Sequence, residues 1–131
     1  MTAVVDASIA VEYLLRTELG ERAAYLLEQE TLVAPELLDV EVMAVLRRAV
    51  LKSEITTTRA NEALNDLFAW GIERISHSVL WLSAWRLHKN VTAYDSFYVA
   101  TALLFSAPLI TADGPLTRAP NLGIVIQNLR Y

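Results

Sequence analysis

Apolar residues along this chain fall into short blocks of three or four, separated by longer stretches with helical spacing. The short blocks at 3–5, 31–33, 72–75, 109–111 and 124–126 are mostly apolar and read as strands. Between them, residues 8–15, 19–29, 36–52, 58–69, 79–89 and 93–106 read as helices. Pro35 near the start of the third helix, and Thr57 or Thr58 as N-cap of the fourth, support these boundaries. The order is mostly strand–helix alternation with paired helices between strands. It predicts an α/β fold: a mainly parallel central sheet of about five strands, flanked by helices on both faces. No repeat, low-complexity tract or Pro/Gly-rich linker divides the chain, so residues 1–131 read as a single domain.

Four carboxylates interrupt this apolar pattern: Asp6 in VVDAS, Glu41 in LLDVEVMAVLRR, Asp95 in TAYDSFYVATA and Asp113 in LITADG. Burying an ionised carboxylate without a partner costs several kcal/mol or more, so acids in such settings need a reason. Parallel sheets place their sites beyond the carboxyl ends of the strands, and Asp6 and Asp113 each follow a strand-like block. At about 100° per residue, Glu41 shares a helix face with Leu37, Val45, Arg48 and Lys52, while Asp39 points about 160° away. Each acid also has an ordinary reading. Glu41 could pair with Arg48 or Lys52, and Asp95 could complete a capping box with Thr92. Asp113-Gly114 could be a turn, and Asp6 could cap the first helix, with Ser8 available for the same task.

Composition narrows the chemistry. Hydrophobic residues make up 54% of the 131, more than one core requires, which points to an apolar surface covered by a partner. No apolar run approaches the roughly 20 residues of a membrane span, and the N-terminus lacks a basic n-region, so the expected location is cytoplasmic. There are no cysteines and two histidines, His77 and His88, which argues against zinc and thiolate chemistry. Both histidines read as surface residues by default. A net charge of −4 excludes holding nucleic acid by overall attraction, though not by a metal ion and a few local cations.

Taken together and in order, the four acidic segments resemble a PIN domain, in particular the small VapC-type ribonuclease toxins of bacterial type II toxin–antitoxin pairs. The likeness covers essentially the whole chain. V-V-D-A-S matches the family's first acid, Asp6, with Ser8 two places on; P-E-L-L-D-V-E-V-M-A-V-L-R-R resembles the helix of the second, Glu41. T-A-Y-D-S-F-Y-V-A-T-A carries the third, Asp95, and L-I-T-A-D-G-P-L the fourth, Asp113, two residues after Thr111. An extra acid that some members carry after the fourth block is absent: Gly114, Pro115 and Leu116 stand there. The resemblance implies an endoribonuclease leaving a 3′-hydroxyl and a 5′-phosphate, homodimer formation, and silencing by a cognate antitoxin lying in an apolar groove. Helices 8–15 and 36–52 are the expected walls of that groove, with Leu14 and Leu46 along it.

The residue types fit that chemistry independently. Two carboxylates about 5 Å apart repel by roughly 3 kcal/mol at an effective dielectric of 20, so four together call for a dication or for protons. Hard oxygen ligands suit Mg²⁺, with Mn²⁺ possible. Asp6, Asp95 and Asp113 are read as metal ligands, direct or through water, with Glu41 bound through water or orienting the attacking water. Ser8 and Thr111 would support them by hydrogen bonds. Arg48, Lys52 and Arg118 are the candidate RNA contacts. Trp81 and Trp85, one helical turn apart, read as core or interface and not as base-stacking platforms. The alternative function is a catalytically silent PIN-like scaffold acting through protein binding. A phosphoryl-accepting signalling domain would need a paired acidic start, and a haloacid-dehalogenase-like phosphatase an acid where Ser8 stands.

Overall fold

The computed structural model describes residues 1–119 and 122–130. Among these, five strands, β1 (Thr2–Val5), β2 (Thr31–Pro35), β3 (Glu73–Ile75), β4 (Leu109–Thr111) and β5 (Ile126–Asn128), form one sheet in the order β3-β2-β1-β4-β5. Every pairing is parallel. The sheet grows to one side through β2 and β3 and to the other through β4 and β5. The direction of winding therefore reverses between β1 and β4, the position where open α/β sheets form their crevices.

Among the described residues seven helices surround it: α1 (Ala7–Leu14), α2 (Glu18–Gln29), α3 (Leu37–Leu51), α4 (Thr57–Ala69), α5 (His77–Trp85), α6 (Ala93–Phe105) and α7 (Gly114–Arg118). They form two groups. Helices α1 to α4 pack on one another and reach the sheet through α1 and α3, whereas α5 pairs with α6, which lies on β1, β2 and β4. β1 supplies Ala3, Val4 and Val5 and β4 Leu109 and Ile110 to the main core, all buried. A smaller cluster of Leu80, Ala84 and Ala100 joins α5 to α6.

Helix ends follow local chemistry. Thr17, Thr56, Ser76 and Thr92 cap α2, α4, α5 and α6 through side-chain oxygens. The cap of α4 is thus Thr56, one place before the expected threonines, because it is Thr56 whose hydroxyl accepts the Arg59 N–H. Helix α3 is started differently. Glu36 makes no side-chain cap bond, and the first free N–H, that of Leu37, is accepted by Nε2 of His77 at 2.9 Å. That same ring lies against Phe97. His77 is therefore a structural anchor, not the surface residue expected, whereas His88 is exposed and stacks on Trp85. Asp39 points away from Glu41 as the helical wheel requires, and Arg74 of β3 engages it while also donating to the carbonyls of Leu67, Trp70 and Ile72. One guanidinium thus ties the end of α4 to the start of α3.

Three elements differ from expectation. The last strand begins two residues later than its apolar block, since Leu109 pairs with Ile126 and the polar Gln127 and Asn128 complete an edge strand. The fifth helix stops at Trp85 and gives way to turns, so it is shorter than its apolar pattern. Asp113-Gly114 opens the short helix α7, with Pro115 in its first turn, where a missing N–H costs nothing. Among the described residues no helix is long and apolar enough to cross a membrane.

The junction of α1 and α2 leaves no room for a side chain at Gly20. A Cβ there would lie 2.5 Å from the carbonyl carbon of Glu12, 2.9 Å from Cα of Tyr13, and closer still to the Glu12 oxygen. Because the obstacle is backbone, Gly20→Ala should destabilise the fold by about 2 kcal/mol or more, seen as a lowered midpoint in urea unfolding.

Candidate active site

The carboxyl ends of β1 and β4 meet one step beyond the Val5–Ile110 pair of the sheet register, bringing Asp6 beside Thr111. Asp6 is 5% exposed. Its Oδ1 accepts from Ser8 Oγ at 2.6 Å and from the Ile9 N–H at 3.2 Å, and its Oδ2 accepts from Thr111 Oγ1. Asp6 thus caps α1, as its ordinary reading has it, and the acid that starts α1 also stands at the carboxyl edge of the sheet. Ser8 Oγ in turn accepts the Ala112 N–H, and Thr111 Oγ1 accepts the Asp113 N–H. Two hydroxyls thus lock the loop after β4 onto the loop after β1.

Asp113 occupies the N-cap position of α7 but makes no side-chain cap bond, which leaves its carboxylate uncommitted. Its carbonyl is held from the far end of the chain by Asn128 Nδ2. Arg130 adds a second tie, donating to the Ala112 carbonyl and to Glu12 of α1. Asp95 receives half of its predicted capping box. Thr92 Oγ1 accepts the Asp95 N–H at 3.2 Å, while the reciprocal bond from the Asp95 carboxylate is not made. The cap accordingly leaves that carboxylate available. Glu41 projects from α3 without the Arg48 or Lys52 pairing that the bland reading required; its Oε1 is buried and has no hydrogen-bond partner among the described residues.

All four acids line one cavity of about 390 Å³, walled also by Ser8, Val45, Arg48 and Tyr98. They sense one another electrically. Burial first, opposed by its three hydrogen bonds and reinforced by Asp113, raises the Asp6 carboxyl from 3.8 to about 6. Burial and then the carboxylates of Asp113 and Glu41 push Asp95 up, against the Thr92 contact. Acids so arranged favour protons or a cation over bare charge. As placed, no three of them close into a cage for an ion among the described residues. The donor set is oxygen throughout, the kind a hard dication takes.

Of the three cations expected to meet RNA, Arg48 reaches the cavity wall; Lys52 and Arg118 are exposed and do not line it. Tyr98 was missed by sequence reasoning, although it follows Asp95 by one helical turn and so was open to being found. Asn128 and Arg130 were missed as well, since nothing local marks a residue that acts on a loop fifteen positions away. The two leucines expected along a partner groove are core residues instead. Leu14 and Leu46 are 3% and 1% exposed, because α1 and α3 pack on each other there. Open apolar surface lies on the outer side of α3, at Val40, Met43 and Leu51, and around α5: Trp81 and Trp85 are 57% and 63% exposed, which rules out the core, and with Phe97 and Val91 they line a cavity of about 770 Å³. A further cavity of about 420 Å³, between α1, α2 and α4 and remote from the acids, holds the stacked pair Tyr13 and Trp70.

Comparison with known proteins agrees with this architecture. The sequence matches the PIN domain over residues 3–122. It is 40% identical to Ribonuclease VapC1 of Mycobacterium tuberculosis, over 97% of each chain, and 34% identical to Ribonuclease VapC12 of the same organism, over 88% of this chain and 90% of that one. Its fold is similar to that of a chain in VapBC2 from Rickettsia felis, crystallised with a DNA fragment from its promoter: TM-score 0.69 at 16% identity, covering 98% of both chains. A switch-point cavity lined by four acids, on a sequence matched along nearly its full length, places this chain in the PIN domain family, within its VapC group.

Proposed function

We propose that this protein is a divalent-cation-dependent endoribonuclease, the toxin of a toxin–antitoxin pair, restrained by a cognate antitoxin protein. The observation that carries the reading is the gathering of Asp6, Glu41, Asp95 and Asp113 from β1, α3, α6 and the loop after β4 around one cavity. Relatives named as ribonucleases and a structural neighbour solved as a VapBC complex support it.

The donor set fits Mg²⁺, with Mn²⁺ as a substitute. Asp6, Asp95 and Asp113 would hold the ion, partly through water because the carboxylates do not close on one another unaided. When bound, the cation supplies charge stabilisation at the scissile phosphate and acidifies a water. The chain does the rest. Ser8, Thr111 and the Ile9 N–H fix Asp6, so its carboxylate cannot swing away as substrate enters. Glu41 would bind the ion through water, orient the attacking water and accept its proton. Arg48, on the cavity wall, meets a phosphate oxygen, while Lys52 and Arg118 guide the flanking strand. The uncovered apolar residues Trp81, Trp85, Leu82 and Tyr94 give a cytoplasmic protein surface for a second copy of itself and for the antitoxin.

Asp6→Asn and Asp95→Asn should each fold and lose RNA cleavage by about a hundredfold or more, and chelation of divalent ions should abolish wild-type activity until Mg²⁺ is restored. Full activity in both variants would end the mechanism, and a wild type that cleaves no RNA with Mg²⁺ leaves the silent scaffold. Arg48→Ala should weaken RNA binding and reduce the slope of log affinity against log salt by about 1, read by fluorescence anisotropy. The acids also set a pH dependence. Because Asp6 in the fold titrates near 6 and not 3.8, the cation-free native state binds a proton there that the unfolded chain gives up. Stability from this group is complete below about pH 4 and lost as pH rises through 6, by about 3 kcal/mol in all. Chemical unfolding without divalent ions should show that decline in the wild type, and Asp6→Asn should flatten it.

A further inference from the structure

Tyr98 is 2% exposed, lines the acidic cavity, and carries a hydroxyl with no hydrogen-bond partner among the described residues. Buried phenols are ordinarily bonded, so an unmatched one at a cluster of acids requires an explanation. The same is true of Glu41 Oε1, buried and equally unmatched in the same cavity. One is a donor in want of an acceptor and the other an acceptor in want of a donor. They come from α6 and α3, elements of the two separate helix groups. Two other oxygen-bearing wall residues differ: Asp6 accepts from Ser8, Thr111 and the Ile9 N–H, and Ser8 is taken by Asp6 and Ala112.

We propose that Tyr98 is a positioning residue for Glu41: its phenolic O–H donates to Oε1 and leaves the second carboxylate oxygen to serve the cavity. This rests on the reading of the cavity as a divalent-cation site. Three alternatives fit less well. The hydroxyl is inaccessible, so it cannot touch RNA or protonate a leaving oxygen. Burial and the neighbouring Glu41 hold the phenol protonated far above its ordinary range, so it is a donor at any working pH and not a phenolate ligand. A purely packing role would be met by Phe, and would leave two polar atoms buried for no return. Asp6 has two hydroxyls to steady it; Glu41, on a longer and freer side chain, has none besides Tyr98.

The test is Mn²⁺ binding by the wild type, Tyr98→Phe, Glu41→Gln and the double variant, followed by electron paramagnetic resonance of the free ion, with folding checked by circular dichroism. Tyr98→Phe should weaken Mn²⁺ binding about tenfold, as loss of an outer partner of a ligand does. The double variant should bind no more weakly than Glu41→Gln alone, since the tyrosine acts through the glutamate. Thermal stability of Tyr98→Phe without metal should fall modestly, because Oε1 is left without its donor. Undiminished binding in Tyr98→Phe, or losses that add in the double variant, overturn the assignment while leaving the cation site standing. A wild type that takes up no Mn²⁺ overturns both. Should Tyr98→Phe misfold, the ¹³Cζ resonance of Tyr98 decides: it should shift in Glu41→Gln, and an unmoved resonance refutes the contact.

Discussion

The carboxylate of Asp6, held by Ser8, the Ile9 N–H and Thr111, is the interaction on which the rest of this architecture depends. It starts α1, ties the loop after β1 to the loop after β4, and stands at the wall of the acidic cavity. Its burial is unfavourable for a charge, and its three hydrogen bonds offset that only in part, which is why its carboxyl remains shifted upward. A group that is both a helix cap and a member of an electrostatically strained cluster cannot be optimised for stability alone. The fold places this strain at the reversal of sheet winding, where two loops diverge and leave space.

Around that point the two helix groups contribute from opposite sides of the chain's order. Glu41 enters from α3, whose first N–H is anchored by His77, while Asp95 enters from α6, whose start is fixed by Thr92. Asp113 is governed from β5 through Asn128 and from beyond it through Arg130. The cavity is thus assembled by contacts between residues far apart in sequence, each anchoring a backbone segment and leaving a carboxylate free. Asp6 alone of the four combines a side-chain cap with a place in the cavity, whereas at Asp95 and Asp113 the cap bonds are made by other groups or not at all.

Much of this was legible in the chain. Hydrophobic blocks located β1, β2 and β4 because these strands are buried and their side chains report it directly. Helical spacing separated Glu41 from Asp39, and the structure places them on different faces, Asp39 with Arg74 and Glu41 at the cavity. Where reading failed, pairing and not composition decided. β5 is an edge strand whose bounds follow its register with β4, so the apolar run at 124–126 misplaced it by two residues. Leu14 and Leu46, expected to stand open along a groove, are buried, because helical periodicity identifies an apolar face without saying what already covers it. Asn128 and Arg130 lie outside any local motif, and their roles exist only through long-range contact, whereas Tyr98 stands within the Asp95 segment and was passed over.

The anchor at His77 carries a practical corollary. Nε2 must keep its lone pair to accept the Leu37 N–H, so the ring carries its hydrogen on Nδ1. Acylation or alkylation of Nε2 would free the first turn of α3, only four residues before Glu41. Inactivation by an imidazole-directed reagent would then register a dislodged helix, and should not be mistaken for a histidine in the chemistry.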